Sequence, residues 1–342
     1  MSMKTKTLFV LFLSVSIIFA LIIEAIGKDE LILITNTRDG TISVISRTKN
    51  EVIKTINAGK KSNRISLSND KRKAFIINDG SPFIRILDLK NFIFKKSPRV
   101  GRDPYNLAFG KNGKFAYFVN TYSDNLSVFN LKTQKIHAVF KHGGNNPVNI
   151  KISTDGKYAY IANELSEDVS VINLQTFSII KQIESGHYTE GIDITEDGRK
   201  LYISNGERNS FSIVETKSNI IIETINLKDE PHDLLLTPNN QFLYITLPHI
   251  NTVQIFSTKN HKLIASVKQG IRPDLIAFTP DGKLAYITNR DSKEVFVMDA
   301  IQHKNLKVIK VGNGPHGVLV IPNWIKKNKN NHNKILKHQL KK

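Results

Sequence analysis

The sequence contains no cysteine, which excludes a disulfide, a thiolate metal site, a thiol nucleophile and a lipidated cysteine. It is short of acid: 30 Asp and Glu stand against 49 Lys and Arg, a formal net charge of +19. Aromatic residues make up 8%. Tyr105, Tyr122, Tyr188 and Phe211 fall at loop-side positions, too sparse for the interleaved stacking platform that sequence-tolerant binding to single strands uses. The chain has no H-E-x-x-H, no G-x-S-x-G and no Walker loop, so no standard motif supports catalysis. Apolar residues, at 40% of 342, still suffice to bury a core.

The two ends differ from the middle. Lys4 and Lys6 precede an apolar run from Leu8 to Ile23, broken only by Ser14 and Ser16, and Ala25-Ile26-Gly27 follows with small residues at the two positions a signal peptidase reads. This layout predicts a secretory signal over 1–27, cleaved after Gly27. An uncleaved membrane anchor is the alternative, although the run is short of the roughly 20 apolar residues a spanning helix needs. Both readings place the remainder outside the cytoplasm, in the periplasm or secreted. At the other end, Lys326, Lys327, Lys329, Lys334, Lys337, Lys341 and Lys342 occur with no acid. Residues 323–342 therefore read as a basic, disordered tail.

Between the ends the sequence repeats. Six spacings separate Asn36, Asn78, Asn120, Asn163, Asn205, Leu247 and Asn289; five are 42 residues and one is 43. Each position closes an apolar segment such as Tyr160-Ile161-Ala162-Asn163 or Tyr202-Ile203-Ser204-Asn205. A Gly-x-x-Pro-like approach leads into a short apolar strand, as at Pro273 to Phe278. An Asx-Gly turn follows, as at Asp155-Gly156, Asp197-Gly198, Asp281-Gly282 and Asn112-Gly113, where both residues tolerate positive φ. The Tyr-containing strand, a third strand such as Val169 to Asn173, and a fourth such as Ile221 to Ile225 complete the unit. Four antiparallel strands in about 42 residues is the arithmetic of a propeller blade. The fold expected over 28–322 is all-β, a seven-bladed β-propeller. The first unit begins at Leu31 without its inner strand, and the chain ends on a spare one, Val318 to Ile321. The C-terminal strand is therefore expected to complete the first blade and hide the edges of an open ring.

Tyr286-Ile287-Thr288-Asn289 and Pro280-Asp281-Gly282-Lys283 resemble the YVTN family of β-propeller repeats, over about residues 31 to 322. That family occurs in bacterial periplasmic proteins and archaeal surface-layer proteins. The resemblance implies a fold and leaves the function open, since the family includes binding proteins with no known chemistry; related propellers carry haem or copper in some oxidoreductases. The sixth repeat departs from the pattern, with Leu247 for Asn and Pro248-His249 after it, which puts that loop in doubt.

Aligning the repeats yields the candidate site. The position after the approach proline, or its equivalent, is Asn63, Tyr105, Val148, Glu190, His232, Asp274 and His316. It starts the innermost strand of each blade, so the seven are expected to ring one mouth of the central channel. Four adjacent blades supply Glu190, His232, Asp274 and His316. Two imidazoles and two carboxylates suit zinc, copper or iron, so a divalent metal is the candidate cofactor. The alternatives are a polar small-ligand or peptide mouth, and loop packing without a ligand. Arg102 and Arg272 stand in the loops just before this position, and Lys60, Lys61 and Arg64 lie at the second blade's approach. Such cations suit an anionic group. Gly312 to Gly317 matches G-x-G-x-x-G formally, but a strand follows where the dinucleotide fingerprint needs a helix.

The remaining positive charge falls on the opposite side: Lys71-Arg72-Lys73, Lys111, Lys114, Lys157, Arg199 and Lys200 in hairpin turns, with Arg47, Lys49, Lys95, Lys96, Lys132, Lys135 and Lys304 before the fourth strands. The leading expectation is an extracytoplasmic, monomeric binding or scaffold propeller that presents the mouth to a ligand or protein partner. Two alternatives stay open: a metal- or cofactor-dependent enzyme or redox protein using the His/acid cluster, and a binder of nucleic acid or anionic surfaces through the basic face.

Overall fold

The computed structural model describes residues 30–322 apart from His187. The signal or anchor expected over 1–27 and the basic tail expected over 323–342 lie outside the described residues. Seven four-stranded antiparallel sheets form seven blades. In the first blade β28 (Pro315–Ile321) is innermost, followed by β1 (Leu31–Asn36), β2 (Thr41–Ser46) and β3 (Glu51–Asn57). Leu31 pairs with Ile321 and Ile34 with Val318. The C-terminal strand thus closes the ring as the mismatched ends of the repeat predict. Blades 2 to 7 follow in chain order, with inner strands β4 (Ser62–Leu67), β8 (Pro104–Phe109), β12 (Pro147–Ile152), β16 (Ile192–Ile194), β20 (Leu234–Leu236) and β24 (Pro273–Phe278).

Each blade is buried on both faces because it is wedged between two others. All of β1 is buried, whereas the outer strand Ser178–Glu184 is almost wholly exposed. The apolar core divides into clusters that sit between neighbouring blades. One holds Leu33 and Val44 of blade 1 with Ile76 and Leu87 of blade 2. Another holds Tyr286 and Val297 of blade 7 with Ile32 and Ile45 of blade 1. The junction that closes the ring is packed like the others.

Polar side chains staple blade to blade as well. Thr246 Oγ1 donates to the Asp274 carbonyl at 2.9 Å, Thr288 Oγ1 to the His316 carbonyl at 2.9 Å, and Thr35 Oγ1 to the Asn63 carbonyl. Four of the repeat asparagines, Asn36, Asn120, Asn163 and Asn205, bind inside their own blades: Asn120 Nδ2 donates to Asn125 Oδ1 and Ser127 Oγ, and Asn205 Nδ2 to Ser210 Oγ and Ser212 Oγ. They also explain the approach glycines. A Cβ on Gly101 would stand 2.0 Å from Asn120 Oδ1, and one on Gly144 2.1 Å from Asn163 Nδ2. At the departing sixth repeat Leu247 is fully buried, and the residue seven on is Gln254, which turns to Ser266 Oγ instead. In the Asx-Gly turns only the glycine takes positive φ, as at Gly156 and Gly198. Asp155 instead accepts from Ser153 Oγ and the Lys157 amide.

Removing the chain from Pro315 onward would leave β1 an open edge and uncover Ile32 and Ile34. Losing Val318, Val320 and Ile321 from the core costs several kcal/mol, at about 1 kcal/mol or more for each buried aliphatic side chain. The truncated protein is expected to melt at least about 10 °C below the intact one. Equal melting temperatures in a thermal scan would refute ring closure by β28.

Candidate functional site at the channel mouth

The aligned residues stand at one register in the ring. Asn63, Tyr105, Val148, Asp274 and His316 are each the second residue of an inner strand. Glu190 and His232 instead precede their shorter inner strands by two residues. Their backbone is still tied down: the His232 amide donates to the Thr246 carbonyl at 3.0 Å, and the Gly191 amide to Ser204 Oγ at 2.7 Å. The ladder is irregular at this point in the other blades too, with register shifts between Ser62 and Ile65, Pro104 and Asn106, Pro147 and Asn149, and Pro273 and Ile276. Bulges of this kind re-aim side chains.

The four residues from adjacent blades come together. His232 stands between two carboxylates, with Nε2 3.1 Å from Glu190 Oε2 and Nδ1 3.1 Å from Asp274 Oδ1. The Nδ1 approach is a charge contact without hydrogen-bond alignment, so that buried atom keeps an unused hydrogen-bonding position. His316 Nε2 is 3.7 Å from Asp274 Oδ2, and both its ring nitrogens are buried with no hydrogen-bond partner. Arg290 Nε donates to Asp274 Oδ2 at 2.5 Å.

Arg290 belongs to a second ring that the alignment of approach loops did not reveal. It is the residue directly after each repeat asparagine: Thr37, Asp79, Thr121, Glu164, Gly206, Pro248 and Arg290. These face the first ring within a blade. Asn63 Nδ2 donates to Asp79 Oδ1 at 2.5 Å, as Arg290 does to Asp274. Glu164 accepts from Asn146 Nδ2 at 2.5 Å.

The electrostatics separate the members. Asp274 and His316 are each 2% exposed. Burial pushes the Asp274 carboxyl up, but the imidazoles of His316 and His232, when protonated, and the Arg290 guanidinium outweigh it and hold it well below the usual carboxylate range. Burial holds His316 well below the usual imidazole range. At neutral pH, Asp274 is therefore ionised and His316 neutral, and Arg290 carries the compensating charge. Burial raises Glu164, helped by repulsion from Glu190. Burial also pushes the Tyr105 phenol up to about 12.

The cations expected to assist occupy different places. Arg102 is exposed and its guanidinium lies 3.9 Å from the Tyr122 ring centroid. Arg272 adopts the left-handed backbone conformation, φ 59°, and is exposed on the rim. Arg290 and Arg64 reach the centre instead, with Arg64 5.4 Å from the Tyr105 ring centroid. The geometry also differs from the metal shell that the residue types suggest. Both nitrogens of His232 turn toward different carboxylates and Arg290 occupies an oxygen of Asp274, so the side chains do not converge on one common point. Among the described residues no group of three or more His, Cys, Asp or Glu is arranged to hold a metal ion. On the opposite face the turn residues Lys71, Lys111, Lys157 and Arg199 are exposed, as expected.

Residues 135–272 match the family model described as Lactonase, 7-bladed beta-propeller. Over that stretch the chain is similar to the lactonase propellers. The match runs from the outer strand of blade 3 through blade 6, so it carries Glu190 and His232 but not Asp274, Arg290 or His316. No curated protein matches the sequence. Among solved structures, Kuenenia stuttgartiensis hydrazine synthase is similar at 22% identity, with 75% of this chain and 88% of that chain covered and a TM-score of 0.69. The Pseudomonas aeruginosa periplasmic gluconolactonase PpgL is 14% identical over 85% of this chain and 99% of its own, with a TM-score of 0.73. A functionally unknown protein of Desulfotomaculum acetoxidans is 15% identical over 85% and 98%, with a TM-score of 0.74. At these identities the likeness is one of fold.

A second buried imidazole has the character of His316. His142, at the approach to blade 4, is fully buried, and burial pushes it down to about 4. The unfolded chain binds that proton near pH 6.5, so it takes up more protons than the folded chain between pH 6.5 and about 4. Stability from this group is therefore lost as pH falls through that window. Relative to His142→Gln, which stays neutral, the native protein should lose about 1.4 kcal/mol per pH unit below pH 6.5. Denaturant melts of both proteins at pH 7, 6 and 5 measure the difference. A pH-independent gap would show that His142 is free to take a proton in the fold.

Proposed function

We propose that the channel mouth is a hydrolytic site that opens the ring of a sugar-acid lactone, outside the cytoplasm. The observation that carries this reading is His232, held 3.1 Å from Glu190 and 3.1 Å from Asp274. A carboxylate fixed by a guanidinium holds the imidazole by charge at Nδ1, and Nε2 faces a second, more accessible carboxylate with which it can exchange a proton. The family to which residues 135–272 are similar is described as lactonase, which supports the same chemistry.

Lactone opening needs little else. Water is deprotonated by the Glu190–His232 pair as its oxygen adds to the lactone carbonyl. The pair then returns that proton to the ring oxygen as the acyl C–O bond breaks. A hydroxy acid leaves and the pair is restored, with no co-reactant. Asp274 acts as a positioning residue, because its two oxygens are engaged by His232 and Arg290.

Purified protein is expected to accelerate the opening of glucono-δ-lactone, read as acid release in a pH-stat. His232→Gln should reduce the rate by about 100-fold or more, the usual scale for removing a general acid–base, with little change in melting temperature. Absence of acid release above the spontaneous rate, or full activity in His232→Gln, would overturn the hydrolytic reading. The mouth would then be a binding surface, a role that the exposed rim residues Tyr122, Leu165 and Tyr188 favour.

The location rests on residues 1–27: a basic start, an apolar run and Ala25/Gly27. The relative PpgL is a periplasmic protein by name. N-terminal sequencing of the exported protein is expected to begin at Lys28. Intact Met1 in a soluble cytoplasmic fraction would exclude export, and intact Met1 in membranes would identify an anchor.

A further inference from the structure

Directly below the mouth lies a third ring, one residue past the first: Arg64, Asn106, Asn149, Gly191, Asp233, Leu275 and Gly317. All but Gly191 line a cavity of about 400 Å³ in the channel. The ring is polarised. Its cation comes from blade 2 and its anion from blade 6, three blade steps apart in a ring of seven, which is as far apart as two blades can be. Two amides, Asn106 and Asn149, stand on the wall between them, with Asn106 Nδ2 donating to Asn149 Oδ1 at 2.9 Å.

Neither charge has a counter-ion of its own. Among the described residues no carboxylate lies within ion-pair distance of Arg64, and its Nε is buried without a hydrogen-bond partner. Asp233 Oδ2 accepts only the Ile276 amide, at 3.2 Å, and no cation lies within ion-pair distance among the described residues. The remaining charge of the cavity wall, Lys151, is paired: its Nζ is 3.0 Å from Asp193 Oδ1. The two charges attract each other only across the cavity, and a buried guanidinium and carboxylate left without a direct ion-pair contact are costly.

We propose that this ring binds a small zwitterion, a molecule carrying an ammonium and a carboxylate, with Arg64 taking the carboxylate and Asp233 the ammonium. A simple anion would meet Asp233 and a simple cation would meet Arg64, so each charge discriminates against the ligand that suits the other. The cavity has room for an amino acid, and the two amides can serve its remaining polar atoms. The inference does not rest on lactone hydrolysis, since Arg64 and Asp233 take no part in that chemistry.

A pH signature follows. Burial pushes Asp233 up to about 6, against the pull of Arg64, His232, Lys151 and the Ile276 amide. Protonation removes the partner of the ammonium, so affinity should fall about tenfold between pH 7.5 and pH 5, following the ionised fraction of a group of that pKa. His232 also faces Asp233, and Asp233→Asn separates the two because it should abolish the dependence.

The test is calorimetry on the purified full-length protein with glycine, β-alanine, γ-aminobutyrate and 5-aminovalerate, each beside the amine and the acid of matching length. At least one zwitterion is expected to bind, with its amine and acid counterparts at least tenfold weaker. Arg64→Gln and Asp233→Asn should each weaken it at least tenfold. Binding by none of the four, equal binding of a matching acid, or an unaffected Asp233→Asn would overturn the proposal. Should Asp233→Asn fail to fold, Asp233→Glu keeps the charge and reaches one methylene further, so the preferred ligand should shift to the next shorter member. An unchanged preference would also overturn it. Lactone opening assayed on the same samples reports on the mouth separately, so either reading can fail alone.

Discussion

A four-stranded blade with two apolar faces cannot fold alone, because each face must be covered by another blade. The molecule solves this by wrapping the series until the last blade meets the first, and the contact that completes it is the pairing of β28 with β1. Everything else depends on that pairing. It removes the open edge of β1, it covers Ile32, Ile34 and Ile45 against Tyr286 and Val297, and it fixes His316 on blade 1 beside Asp274 of blade 7. The thermodynamic unit is therefore the whole ring.

Closure also determines where polar chemistry can go. Inner strands converge on the axis, so one register position from every blade meets its counterparts around a narrow mouth. Strands that must fill wedge-shaped gaps carry apolar residues on both faces, which leaves the strand ends as the places where charged groups are tolerated. Bulges at these ends turn side chains toward the axis. The outcome is a stack of rings, each read from one column of the repeat, with polar groups of the first ring partnered from the second: Asp274 by Arg290, Asn63 by Asp79.

How much of this the sequence discloses follows from the same geometry. The asparagine spacing reveals the blades because Asn36, Asn120, Asn163 and Asn205 all do one job, holding polar partners five and seven residues on. The mismatched ends reveal the closure. Alignment of the approach loops brings out Glu190, His232, Asp274 and His316, and these do meet. Arg290 stays hidden because its column reads Thr, Asp, Thr, Glu, Gly, Pro, Arg: the position is constant in space while its chemistry runs from hydroxyl to acid to cation, and no residue shared by most blades marks it. Arg102 and Arg272 mislead for the opposite reason. They lie close to the mouth residues in sequence, but a left-handed turn at Arg272 and stacking on Tyr122 by Arg102 place them on the rim. A metal shell is likewise a matter of direction rather than composition, and His232 turns its two nitrogens toward two different carboxylates.

The divergence of those columns also separates scaffold from function. Positions that support the ring recur: the asparagine, the glycine packed against it, and the threonine that staples one blade to the next. The three axial columns do not recur, and their departures are not scattered evenly. In the first column acidic and imidazole groups gather on blades 5, 6, 7 and 1, while Tyr105 stands on blade 3 and Arg64 of the third column on blade 2. A ring selected for stability alone would fill each column with a residue that satisfies its neighbour, as Asn106 and Asn149 do. Here Arg64 Nε, His232 Nδ1 and both nitrogens of His316 remain buried without a hydrogen-bond partner at the axis, as do the Oδ1 atoms of several repeat asparagines farther out. Burial without partners destabilises the fold, and at the axis that cost falls on guanidinium and imidazole groups, where seven blades bring their departures from the repeat together.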